Sequence, residues 1–174
     1  MTPRVIAVLS HARPEETEPA FGRLLDAARE RGILVRLDQV ESDKHRRPAG
    51  DGVEVSDASF GDVELAIALG GDGTVLRALR RFAGTGVPVF GVNYGEIGFL
   101  ATVDRDRADE GVARALAGEF EAISLPAIRP LGGAWTDGAN GATAINDVAI
   151  TRRAGDRVAE LAYAVGGEEV GRVR

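Results

Sequence analysis

Residues 65–83 read LAIALGGDGTVLRALRRFA, and this stretch decides the fold. Residues 65–69 form a continuous apolar run of the kind buried on both faces of a parallel sheet. The run leads straight into Gly70-Gly71-Asp72-Gly73-Thr74. After it, Val75, Leu76, Leu79, Phe82 and Ala83 recur at helical spacing, and Gly84 closes the segment. A strand, a glycine turn and a helix in that order form the repeating unit of α/β folds.

The unit recurs on either side. Residues 5–9 (VIAVL) form a second buried strand. Thr17 is an N-cap for a helix carrying Phe21, Leu24, Leu25 and Ala28, which Gly32 ends. Ile33, Val35 and Leu37 alternate as a strand. Residues 39 to 61 are polar and hold Pro48, Gly50, Gly52 and Gly61, so they read as a long loop with a short strand at 53–55. Residues 87–92 (VPVFGV) make another strand, followed by Asn93-Tyr94-Gly95-Glu96-Ile97-Gly98-Phe99-Leu100, in which Phe99 and Leu100 read as core. Three buried strands with helical crossovers predict an open parallel sheet of α/β class over residues 1–101.

The pattern changes beyond residue 101. One helix is expected over 106–117, and then strand and turn signals dominate. Residues 144–151 (AINDVAIT) and 161–165 read as strands, with Gly166-Gly167 as a hairpin turn. Residues 132–141, with Trp135 and Asn140, read as a glycine-rich hairpin loop. Residues 102–174 are thus expected to begin a β-rich, sandwich-like second domain. Because the last residues fall inside a returning strand, that domain is expected to be incomplete.

Composition narrows the chemistry. With no cysteine there is no disulfide, thiolate nucleophile or cysteine-zinc site, and with two histidines no multi-histidine metal site is expected. Lys44 is the sole lysine and His45 follows it, so the Gly-Lys-Ser/Thr phosphate loop is absent. Any phosphate must be held by backbone amides, arginines or a metal. The net charge of −6 is spread evenly, at 15 acids to 12 bases in the first hundred residues and 12 to 9 in the rest. No basic stripe marks a nucleic-acid surface, and the five-residue apolar run near the N-terminus is too short for a signal core or a membrane span. A cytoplasmic location is expected.

Three features carry candidate chemistry. In the 70–74 loop, glycine amides and a helix N-terminus suit a phosphate. Leu76 occupies the position of the third glycine of a dinucleotide fingerprint, so that motif is not met. Asp72 stands inside the cradle, where a carboxylate repels phosphate unless it binds a metal or accepts a proton from an attacking hydroxyl. The alternative is a helix cap or turn-shaping role. In the 91–100 loop, Asn93 can hydrogen-bond a phosphate, sugar or base, and a structural turn is the competing reading. Asn146-Asp147 in an apolar strand calls for a ligand, a bulge or a buried polar network. Arg77, a helical turn beyond Thr74, either reaches back to phosphate or is solvated, as are Arg152, Arg153 and Arg157. His11 reads as a surface histidine.

In order and spacing, Gly70 to Thr74, Gly91 to Leu100 and Asn146-Asp147 resemble the hallmarks of the NAD kinase family, which uses ATP or polyphosphate. Lipid kinases and phosphofructokinases share only the first. The resemblance implies an α/β domain, a β-rich domain and an active site between them. Asp72 would then be the proton acceptor for the 2′-hydroxyl of the adenosine ribose of NAD. Gly73, Arg77 and Asn93 would line the nucleotide site, Asn146 and Asp147 would hold NAD, and Arg157 and Arg174 would be further basic contacts. The resemblance also implies a divalent metal such as Mg2+, NAD and ATP as substrates, and a homo-oligomer. The family continues with an Asp-Gly strand and a Gly-Ser-Thr-Ala-Tyr-like loop, so the chain reads as an N-terminal portion. The competing readings are a catalytically incompetent nucleotide-binding fragment and a related kinase acting on a lipid or sugar.

Overall fold

The computed structural model describes residues 2–56, 60–128, 143–148 and 160–173. Six strands form one parallel sheet: β1 (Val5–Ser10), β2 (Leu34–Leu37), β3 (Val53–Val55), β4 (Leu65–Gly70), β5 (Val89–Asn93) and β6 (Val103–Asp104). Their spatial order is β3-β2-β1-β4-β5-β6, and every neighbouring pair is parallel. The order reverses between β1 and β4, and open α/β sheets bind ligands beyond the carboxyl ends of strands at such a point.

Alternation along the central strands divides the core. Ile6, Val8, Leu65, Ile67 and Leu69 face α1 (Glu18–Glu30) and α4 (Ala108–Leu116), meeting Phe21, Leu24 and Leu116. Ala7, Leu9, Ala66 and Ala68 face α3 (Asp72–Arg81), meeting Val75, Ala78 and Phe82. Alanines at these positions let α3 pack close to β4. β6 and α4 lie beyond residue 101, yet β6 pairs with β5 and α4 packs on α1 and β5.

The expected strands and helices form, with two additions and two corrections; the first addition is the short strand β6, which no sequence signal announced. Residues 39–45, expected as loop, are a helix, α2 (Gln39–His45). Asp38 caps it, its side chain accepting the Glu41 N–H at 2.8 Å. The Asp-x-x-Glu spacing at 38–41 is a helix-start signal hidden by the polarity of the segment. Residues 145–148 are not strand: Ala144 forms an isolated antiparallel bridge with Ile128, and a bend follows at 145–146. Polar Asn146 and Asp147 are exposed, which removes the need for sheet pairing there. Phe99 is no core residue but 88% exposed, whereas its neighbour Leu100 packs on the α3-side core. The loop turns its backbone toward Asp72, so only one of two adjacent side chains can face inward.

The hairpin at 161–173 forms as expected, with β7 (Leu161–Val165) antiparallel to β8 (Glu168–Val173) around Gly166 and Gly167, both at positive φ. The stretches 132–141, with Trp135 and Asn140, and 149–151 lie outside the described residues. No helix among the described residues is long and apolar enough to cross a membrane.

Candidate active site

The two glycine loops meet at the carboxyl ends of β4 and β5. Gly70 and Asn93 are register partners, and Tyr94 N–H donates to the Gly70 carbonyl at 3.1 Å. Gly71 and Gly95 then pass at backbone distance. A Cβ on Gly95 would lie 3.1 Å from the Gly71 Cα, and one on Gly71 3.5 Å from the Gly95 Cα. The loop-on-loop packing thus leaves little room for a side chain at Gly95, whereas Gly71 sits at ordinary contact distance. Gly73 differs: a Cβ there would meet nothing within 4 Å. Its exposed backbone is open to an incoming group.

Asp72 joins the loops through its side chain. Oδ1 accepts the Leu100 N–H at 3.0 Å and Oδ2 accepts the Phe99 N–H at 3.3 Å. One donor per oxygen fixes the carboxylate plane and leaves lone pairs for a further proton. Asp72 and Gly73 are the first two residues of α3, so their N–H groups have no intrahelical partner by position. The N-cap, Gly71, has no side chain to cover them. An anion arriving here meets free amides and the positive end of the helix.

Asn93 shapes the loop. Its Oδ1 accepts the Gly95 N–H at 2.9 Å and its Nδ2 donates to Asp104 at 3.3 Å. Tyr94 packs against the core, and burial raises its phenol pKa above the ordinary value.

Arg77 is anchored at β1 and α2 through one nitrogen. Its Nη2 donates to the Ser10 carbonyl at 2.7 Å and to Glu41 Oε1 at 2.9 Å. These residues belong to a polar cluster that the sequence reading missed, at the carboxyl end of β1 and on α2. Ser10 Oγ lies 2.6 Å from Glu41 Oε2 and 2.7 Å from His45 Nε2. Glu18 bonds the other ring nitrogen of His45, and the ring stacks on Phe21 at 3.8 Å. The available signal was three polar residues, 41, 44 and 45, at helical spacing behind a capping Asp.

His11 sits just past β1, its Nδ1 accepting the Arg13 N–H at 3.2 Å. Asn146 and Asp147 are exposed at the bend and just after it. Their neighbour Ile145 lines an apolar groove of about 1160 Å³ with Val75, Phe99, Leu100 and Ile123, which places that bend and the second loop on one concavity. Arg152, Arg153, Arg157 and Arg174 lie outside the described residues. Among the described residues no group of three acidic or histidine side chains is placed to hold an ion.

The chain is similar to known proteins in sequence and in fold. The family described as ATP-NAD kinase N-terminal domain matches residues 31–120. An NAD kinase of Nitratidesulfovibrio vulgaris (strain Miyazaki F) is 35% identical over 178 aligned residues, covering 98% of this chain and 57% of the relative. One of Symbiobacterium thermophilum is 38% identical over 121 residues, covering 67% of this chain and 41% of the relative. The chain thus spans about half the length of these curated relatives. The crystal structure of yeast NADH kinase complexed with NADH superposes with a TM-score of 0.56 at 16% identity, over 68% of this chain and 37% of that one. At that identity the likeness is one of fold.

Proposed function

Since the chain belongs to the ATP-NAD kinase N-terminal domain family, we propose that it contributes the phosphoryl-transfer half of an NAD kinase site. The reaction moves the terminal phosphoryl group of ATP to the 2′-hydroxyl of the adenosine ribose of NAD, giving NADP. The attacking 2′-oxygen forms a bond to phosphorus, the bond to the ADP oxygen breaks, and the hydroxyl proton passes to Asp72. The single observation that carries the reading is the state of Asp72. It is a carboxylate held in plane by the Phe99 and Leu100 amides, directly at the open N-terminus of α3.

In this reading the amides of Asp72 and Gly73 and the helix dipole bind phosphate oxygens, and Gly73 allows close approach. Arg77 adds a cation to the nucleotide side, and Asn93 contributes by holding the second loop in shape. Asn146 and Asp147 hold NAD across the groove that Ile145 shares with Leu100, and Arg157 and Arg174 supply further contacts. The α/β unit handles phosphate while the β-rich segment beginning after it handles the dinucleotide. The family's Mg2+ is assigned no protein cage here, and no step is routed through it. A homo-oligomer in the cytoplasm completes the reading.

The test is a coupled assay for NADP formation from NAD and ATP, comparing the wild type with Asp72→Asn. Loss of turnover with NAD binding retained is expected. Near-normal turnover in Asp72→Asn overturns the role of the carboxylate.

A further inference from the structure

At the carboxyl end of β1, a carboxylate shielded from water gathers two cations. Glu41 is 2% exposed. Its Oε2 accepts from Ser10 Oγ at 2.6 Å and from Lys44 Nζ at 2.8 Å. Its Oε1 accepts from Lys44 Nζ at 2.9 Å and from Arg77 Nη2 at 2.9 Å. The partners come from β1, α2 and α3, so one side chain ties three elements together. A buried carboxylate without such partners is strongly destabilising.

Lys44 by itself balances the charge of Glu41. Its ammonium also donates to the Ser10 carbonyl at 3.2 Å and to Ser10 Oγ at 3.0 Å, and its side chain is only 10% exposed. Of the other nearby acids, Glu18 is paired with Arg47 at 3.1 Å and bonded to His45, and Asp38 is paired with Arg81. The second positive charge in contact with Glu41, on Arg77, is therefore surplus. The Arg77 side chain is 48% exposed, and its contacts with Ser10 and Glu41 run through Nη2. One edge of the guanidinium is fixed and the rest of its fork remains for an oxyanion. The place is the strand-order reversal: Ser10 pairs in register with Leu69, and His11 N–H donates to the Leu69 carbonyl at 2.8 Å. Gly70 and the phosphate-loop glycines follow directly.

We propose that Glu41 is a positioning residue that aims Arg77 at a phosphate group of the nucleotide bound across residues 70–74, with Lys44 neutralising Glu41 so that Arg77 keeps its charge for that phosphate. The inference rests on the reading of Arg77 as a nucleotide contact. An Arg–Glu pair alone offers a phosphate no net charge, whereas the Lys44–Glu41–Arg77 set offers one positive charge in a held orientation. Arginine suits this task because its planar fork binds two partners along two edges.

The position of Glu41 also makes the proposal separable from simple electrostatics. Removing a negative charge near the site strengthens phosphate binding if charge alone matters, and weakens it if orientation matters. Calorimetry at fixed ionic strength on the whole chain, with ATP, NAD, inorganic pyrophosphate and adenosine, distinguishes the two. Arg77→Met is expected to weaken pyrophosphate and ATP about 10-fold or more, leaving adenosine unchanged. Glu41→Gln and Glu41→Asp are each expected to weaken pyrophosphate about 3- to 10-fold and to have no weakening effect in the Arg77→Met background. Glu41→Asp keeps the charge and carries the test if Glu41→Gln does not fold. Unchanged or tighter pyrophosphate binding in Glu41→Gln, or equal losses with and without Arg77, overturns the proposal. If pyrophosphate binds with the expected coupling and NAD does not bind, the kinase reading fails and the positioning role stands. If the wild type binds no phosphate at all, both are overturned.

Discussion

The Asp72 carboxylate accepts the backbone N–H of Leu100 at 3.0 Å across 28 positions of chain. That bond, with its companion from Phe99, makes the same side chain both the fastener of two loops and the proposed base. The two roles predict different outcomes for different substitutions. Asp72→Asn keeps one carbonyl acceptor, but its amide group faces an N–H it cannot serve. A loss of roughly 1 kcal/mol in stability is expected, measurable by thermal or urea unfolding. Turnover should fall about 10²- to 10⁴-fold, the usual range for removing a general base. A stability loss with no fall in turnover would leave Asp72 a fastener only.

The glycines of the two loops separate packing from ligand approach. Gly95→Ala places a methyl group 3.1 Å from the Gly71 Cα, and backbone cannot step aside cheaply. It is expected to cost roughly 1–3 kcal/mol and to lower nucleotide affinity with it. Gly73→Ala meets no atom within 4 Å and lies in the first turn of α3. It should leave stability unchanged or raise it by up to about 1 kcal/mol, while still weakening phosphate binding. Calorimetry and unfolding run on both variants check the contrast.

The centre of the main sheet was legible because β1 and β4 are buried and read as unbroken apolar runs; Leu65 to Leu69 is buried at every position. The hairpin at Gly166-Gly167 was legible from turn chemistry. What escaped was held by polar contacts distant in sequence. α2 carries Gln39, Glu41, Asp43 and Lys44, a composition that reads as loop until Asp38 is recognised as its cap. The partners of Arg77 lie 36 and 67 positions away, at Glu41 and Ser10, so no local pattern announces them. Asn146 and Asp147 were singled out because polar residues fit poorly inside a strand; in the structure they are exposed, at a bend and just after it.

Acid should weaken the edge of the sheet near β2. Arg36 is buried on β2 and bonds Asp62 and Glu54. Its hydrogen bond holds the Asp62 carboxyl below the usual range. The Glu64 carboxyl is likewise lowered, first by the Arg4 backbone N–H and then by its guanidinium. A carboxyl with a depressed folded-state pKa contributes stability above its unfolded value, and that contribution is lost as pH falls through the folded value. Stability should therefore decline below about pH 4. The effect is small, because both acids are solvent-screened. Urea unfolding as a function of pH should show a shallower acid limb for Asp62→Asn than for the wild type.

α2 is the element whose loss reaches the site from outside it. Asp38 caps the helix through the Glu41 N–H and pairs with Arg81, whose guanidinium also lies 4.0 Å from the Phe60 ring centroid. Asp38→Ala removes the cap and the carboxylate of the ion pair together, at an expected cost of about 1–2 kcal/mol. The same change frees the first turn of the helix that carries Glu41, which holds Arg77. Phosphate affinity should fall along with stability, even though the Asp38 side chain bonds to Glu41 N–H and Arg81 and acts at a distance from the 70–74 loop. Asp38→Asn retains a capping oxygen and surrenders only the ion pair, so it should restore most of both. If Asp38→Ala lowers the melting temperature and leaves pyrophosphate binding intact, α2 stabilises the fold without orienting the site.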